Sequence, residues 1–184
     1  VQGHAGFELY NGVRVGRRRL DRWWDASLNL NEYGRPEDDR YRPLVVIGAN
    51  PSDADHEWDD PTIFKCYKYA RREPEANGLV MVNIDIRIST DPSKIDDVTL
   101  PYGAVERGWE VLDEALCENV VAVVAGWGQL FVKRADFADR VRRVKDIAAD
   151  VGRVLVCLGA NGDGTPKHPL YRPDAMPFSL WWSP

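Results

Sequence analysis

Short runs of consecutive apolar residues alternate along the chain with segments of helical spacing. Leu44-Val45-Val46-Ile47, Leu79-Val80-Met81-Val82-Asn83-Ile84, Val120 to Ala125 and Val154 to Leu158 are nearly uninterrupted, the pattern of strands buried on both faces. Between the first two, Asp60-Pro61 predicts a helix start: Asp caps free N–H groups and Pro fits the first turn. Ile63, Tyr67 and Ala70 follow at helical spacing and Pro74 ends the helix. Further helices are expected near Ala104 to Glu118 and from about Gln129 to Asp150. Strands separated by helices imply parallel pairing with right-handed crossovers. The expected fold is therefore α/β, a three-layer sandwich. Its central four-stranded parallel sheet takes residues 44–48, 79–84, 120–125 and 154–158, with helices on both faces. The first 25 residues read as a strand or hairpin turning at Asn11-Gly12, and the polar stretch Asn31 to Arg42 reads as an exposed loop. No internal repeat or linker interrupts the chain. A single domain over 1–184 follows, with an extension over 1–42, an α/β core over 43–173 and a tail over 174–184.

Composition narrows the class. A chain of 184 residues with 44% hydrophobic residues suffices for one core. No apolar run approaches the roughly 18 residues of a membrane span, and Val1 to Gly12 lacks a signal-peptide layout. Cys66, Cys117 and Cys157 are odd in number and scattered, all on apolar faces. They read as core residues of a protein in a reducing compartment. A soluble, cytoplasmic protein with no membrane partner is expected. Lys plus Arg is 24 against 29 for Asp plus Glu, a net charge of −5, which disfavours broad phosphate neutralisation. The basic residues nonetheless cluster in Arg14 to Arg22. Either this is the solvated face of an edge strand kept charged against aggregation, or Arg17, Arg18 and Arg19 contact phosphates, a role that suits the bidentate guanidinium.

In open parallel sheets ligands bind beyond the carboxyl ends of the strands. The expected strands leave through Gly48-Ala49-Asn50-Pro51-Ser52-Asp53, Asn83 to Asp85, Gly126-Trp127-Gly128 and Gly159 to Gly164, with His168-Pro169 just beyond. Together these place a polar, concave site on one rim. No G-x-x-x-x-G-K-[ST] loop or G-x-S-x-G elbow exists, which sets aside P-loop hydrolysis and a serine-hydrolase triad. Asp53, Asp55, His56, Asp59 and Asp60 make an oxygen-rich cluster, but a helix cap at Asp60 explains the Asp-Pro directly. No metal or cofactor is implied. Trp23, Trp24, Trp181 and Trp182 are expected to dock elements, while Trp127 lies on the rim, where it either lines the site or packs beneath it.

The ordered series Gly48-Ala49-Asn50-Pro51-Ser52, Asp59-Asp60-Pro61-Thr62, Val82-Asn83-Ile84, Gly126-Trp127-Gly128 and His168-Pro169-Leu170-Tyr171 resembles the domain-of-unknown-function family numbered 1643, over roughly Arg42 to Pro173. That family in turn looks like a distant relative of the uracil-DNA glycosylase superfamily. The second resemblance implies a four-stranded parallel sheet between helices. It also implies a water-positioning Asn at Asn50, a base-edge reader at Asn83, and a His at the base carbonyl oxygen at His168. Ser52 departs from the superfamily's Gly, and Leu170 from its Ser.

Those residue types suit the chemistry. Breaking an N-glycosidic bond builds positive charge on the sugar and negative charge on the departing base, which a His and nearby N–H groups would stabilise. An Asn amide orients water without deprotonating it, enough for a nearly cationic electrophile. The expected function is a glycosylase-like enzyme acting on a pyrimidine or modified base in DNA or a nucleotide. Gly48, Pro51, Ser52, Asp53, Asn83, Trp127, Pro169, Leu170 and Tyr171 would contact substrate, Leu170 and Tyr171 as backbone or wedge contacts to a flipped base. The same pocket equally fits a non-catalytic base- or nucleotide-binding module, or a different base-modifying transfer.

Overall fold

The computed structural model describes residues 1–184 except 53 and 90, and the side chains at 92 and 93 are likewise left aside. β1 (Gln2–Tyr10) and β2 (Val13–Trp23) form a hairpin. Its turn places Asn11 at φ 51° and Gly12 at φ 79°, the left-handed pair that a two-residue hairpin requires. Then follow β3 (Pro43–Gly48), α1 (Pro61–Arg72), β4 (Gly78–Asn83), α2 (Ala104–Cys117), β5 (Ala122–Ala125), α3 (Phe137–Asp150), β6 (Leu155–Cys157) and β7 (Ser179–Trp182). Short 3₁₀ turns occupy Pro92–Asp97 and Pro169–Tyr171.

All seven strands join one mixed sheet in the order β1-β2-β4-β3-β5-β6-β7. β4, β3, β5 and β6 pair in parallel, whereas β1 and β2 on one side and β7 on the other are antiparallel. Period-2 alternation divides the inner strands between two cores. Val45, Ile47, Val80 and Val82 pack with Trp109 and Leu112 of α2 and Val144 of α3. Leu44, Val46, Leu79 and Met81 pack with Ile63, Cys66 and Tyr69 of α1. One helix therefore covers one face and two cover the other.

Several sequence expectations are corrected. β2 is not a solvated edge: it lies between β1 and β4, and Arg17, Arg19 and Arg22 are buried. Carboxylates take up the charge, Arg19 pairing with nearby Asp21 and with distant Glu118, and Arg22 with distant Asp59. Within the tail over 174–184, a strand not expected from the sequence, β7, extends the sheet beside β6. The third helix begins at Phe137 rather than Gln129. Residues 129–136 form turns instead, with Phe131 driven into the core and Arg134 N–H bonded to its carbonyl at 2.9 Å. Cys66 and Cys157 are buried, but Cys117, at the end of α2, is exposed. Among the described residues no helix is long and apolar enough to cross a membrane.

Candidate functional site

The exits of β3 and β4 are held in register past the strands themselves. Ile84 N–H donates to Gly48 C=O at 3.0 Å and Asp85 N–H to Ala49 C=O at 2.9 Å. On the other side Gly126 N–H donates to Ile47 C=O at 2.9 Å. Gly126 also accepts the Pro169 ring so closely that a Cβ there would lie 2.9 Å from it. That contact brings the 3₁₀ turn after His168 onto the sheet's carboxyl end.

The result is a recess of about 60 Å³ lined by Asn50, Asn83 and His168, with Gly48, Ser52, Asp60 and Arg17 among its other walls. It has room for about two water molecules at their share of liquid volume. His168 is also part of the wall of a larger cleft, about 500 Å³, which includes Trp127, Gln129, Asn161, Lys167, Tyr171 and Arg172. Asn50, Asn83 and His168, spread over 119 positions of the chain, thus meet at one recess.

Each of the three presents a defined polar atom. Asn50 Nδ2 donates to Ser89 C=O at 2.9 Å and Pro51 C=O at 3.1 Å. Because both partners are carbonyl oxygens, the nitrogen must face them, which leaves Oδ1 as an acceptor. Asn83 is 5% exposed and its Nδ2 is buried without a partner, a state that costs about 1–3 kcal/mol until an acceptor arrives. Its Oδ1 lies against Gly48, where a Cβ would sit only 2.6 Å away. His168 Nδ1 accepts from Leu170 N–H at 3.3 Å, so the neutral ring carries its hydrogen on Nε2. Burial pushes the His168 pKa down, and the Asp60 carboxylate opposes it without reversing the direction.

Asp60 was assigned to the helix cap from sequence, and it does accept from Ile63 N–H at 2.7 Å. It also takes the Ser52 hydroxyl and forms part of the recess wall, a second role that an Asp-Pro start does not signal. Of its acidic neighbours, Asp55 pairs with Arg14 and Asp59 with Arg22; among the described residues no group of His, Cys, Asp and Glu is arranged to hold a metal ion. Asp53 lies outside the described residues.

The arginines separate. Arg17, 1% exposed, stands in the recess wall and donates to Ala54 C=O at 2.6 Å and Ser52 C=O at 3.4 Å, supporting the loop after β3. Arg18 pairs with Glu8 at 3.2 Å. The Arg19 guanidinium bonds both Asp21 oxygens and both Glu118 oxygens, so it has no face for an external phosphate.

Trp127 is buried in the cleft wall, edge-on to Trp181 at 5.1 Å, with its Nε1 unpartnered. Trp23 is buried and Trp24 packs edge-on against Tyr67 of α1. Pro51 and Pro169 are buried, Leu170 is half-buried, and Tyr171 is 79% exposed with its ring 5.8 Å from that of His168. The residues that sequence reasoning passed over in the cleft include Gln129, Lys167 and Arg172. Asn161 lies in the Gly159 to Gly164 exit of β6 that already marked the rim.

No curated protein and no solved structure matches this chain. The family model described as "Protein of unknown function (DUF1643)" matches residues 17–170, a span from the buried arginine of β2 to the 3₁₀ turn after His168. Since the match covers most of the chain and every residue named in the recess, the protein belongs to the DUF1643 family.

Proposed function

We propose that the recess and cleft receive a nucleobase and that the protein hydrolyses its N-glycosidic bond, in DNA or in a nucleotide, in the manner of the uracil-DNA glycosylase superfamily. The observation that carries this reading is the meeting of Asn50, Asn83 and His168 in the wall of one recess, residues that offer three polar groups between them: Asn50 Oδ1, Asn83 Nδ2 and His168 Nε2–H. Two are donors, suited to oxygen atoms on a base that leaves as an anion. The third is an acceptor suited to holding a water. The parallel order β4-β3-β5-β6 between helices and the Gly48-Ala49-Asn50-Pro51 run support the same reading.

The recess takes one edge of the base, replacing about two waters, and the cleft holds the rest. As the bond from C1′ to the ring nitrogen lengthens, negative charge grows on the base and His168 and Asn83 bind it more strongly. A water held by Asn50 Oδ1 adds to C1′ through its oxygen. The departing base keeps the bonding pair, and the water's proton passes to solvent or to the base. Neutral His168 suits this role, because its Nε2–H is retained at neutral pH without the cost of burying an imidazolium.

The test is base release from oligonucleotides carrying uracil or modified pyrimidines, with binding measured in parallel. His168→Ala is expected to lower turnover by about 10²–10³ and affinity far less. Equal losses of turnover and affinity would refute the catalytic role, and tight binding with no release from any substrate would favour a binding module.

A further inference from the structure

The recess carries a carboxylate that hydrolysis as described does not use. Asp60 stands in the same wall as His168, Asn50 and Asn83. Its two internal bonds, from Ile63 N–H and the Ser52 hydroxyl, leave lone pairs on both oxygens, since a carboxylate offers about four acceptor sites. Ser52, whose hydroxyl donates to Asp60, keeps lone pairs on Oγ as a further acceptor. The lining of the recess therefore combines donors (Asn83 Nδ2, His168 Nε2–H) with acceptors (Asp60, Ser52 Oγ, Asn50 Oδ1). The unpartnered Nδ2 on a side chain 5% exposed marks the place as built for a ligand atom rather than for the fold alone.

Taking that recess as a base site, we infer that Asp60 is a specificity-determining residue selecting a base with an exocyclic amino group, of the cytosine type, over its oxo counterpart. A ring edge that pairs a carbonyl oxygen with an amino group uses a donor and an acceptor of this lining together. A 4-oxo base would bring a carbonyl oxygen against the carboxylate, where neither atom has a proton to share. Losing a hydrogen bond to a charged group in such a site corresponds to about 10- to 100-fold in affinity.

The probes are two single-stranded pentamers, each of four thymidines around a central deoxycytidine or deoxyuridine, with affinity read by fluorescence anisotropy. The wild-type protein is expected to bind the deoxycytidine pentamer about 10- to 100-fold more tightly. In Asp60→Asn that ratio is expected to fall below about threefold or invert, because the amide presents N–H to a 4-oxo group. Asn is as good a helix cap as Asp, so α1 keeps its first turn. Asp60→Ser, also a cap but without charge, repeats the test should the first variant fail to fold. Equal affinities in the wild type, no binding of either pentamer, or an unchanged ratio in the variants would overturn the inference. Base release from the same pentamers is followed alongside. Discrimination without release removes the hydrolase reading and leaves this one standing, and release without discrimination does the reverse.

Discussion

Gly48→Ala tests whether the recess depends on a glycine at the end of β3. A Cβ at this position would lie 2.6 Å from Asn83 Oδ1, with Asn83 Cγ at 3.7 Å and Met81 Cε at 3.9 Å. Only the first is a clash, and the amide must retreat by about 0.8 Å to restore ordinary contact. Overpacking of this kind costs about 1–3 kcal/mol, partly offset by about 0.5–1 kcal/mol from replacing a glycine within a strand. The net loss of about 1–2 kcal/mol would lower the Tm by about 2–8 °C in a domain of this size. Moving the Asn83 amide should also weaken base binding by about 3- to 10-fold. Thermal unfolding and anisotropy on Gly48→Ala, Asn83→Ala and the double variant form a cycle that isolates the cause. With Asn83 truncated, the nearest remaining atom is at an ordinary 3.9 Å, so the added alanine should cost nothing further. A penalty of the same size in both backgrounds would refute the argument that Gly48 exists to make room for the Asn83 amide.

Asn50→Asp is expected to destabilise more than Asn50→Ala, by about 1–2 kcal/mol in urea unfolding, since a carboxylate would face the two carbonyls that Nδ2 now bonds. Arg19→Ala removes the guanidinium that bonds both Asp21 and Glu118, leaving the half-buried Arg35 as the cation they share, and should cost about 3 kcal/mol; a loss below about 1 kcal/mol would show Arg19 to be dispensable. Burial pushes the Asp21 carboxyl up, but Arg19, His4 and Arg35 override it and hold the pKa at about 2. A depressed carboxyl contributes stability that is complete above its unfolded pKa. About 2 kcal/mol should therefore be lost as pH falls from about 4 to about 2, and Arg19→Ala should flatten that slope. A proton added to Nδ1 would break the bond from Leu170 N–H that orients the ring, and because burial lowers the His168 pKa it goes on only below the ordinary value. The acid limb of kcat/KM is accordingly expected below about pH 6.5, and a limb above 7 would count against His168 as the group reported.

The parts of this molecule that local chemistry dictates were legible in the chain. Leu44 to Ile47 and Leu79 to Val82 are apolar on both faces and became the inner strands β3 and β4. Asp60-Pro61 starts α1 because its cap lies three residues from the N–H it satisfies, and Asn11-Gly12 turns the hairpin because those residues tolerate positive φ. The meeting of Asn50, Asn83 and His168 followed from one rule about the carboxyl ends of parallel strands. What local pattern did not carry was decided by partners far away. Val13 to Trp23 reads as a charged edge, yet it lies inside the sheet because Glu118, 99 positions after Arg19, and Asp59, 37 after Arg22, neutralise its guanidinium groups. Ser179 to Trp182 became a strand only because β6 offered an open edge. Residues 129–136 gave up helical geometry to bury Phe131. Asp60 became part of the recess only when His168, 108 positions later, was brought beside it. A cap, a turn and an apolar run are satisfied within a few residues, so they can be read in order along the chain. Buried ion pairs and a recess depend on desolvation by surroundings that exist only once the sheet has assembled.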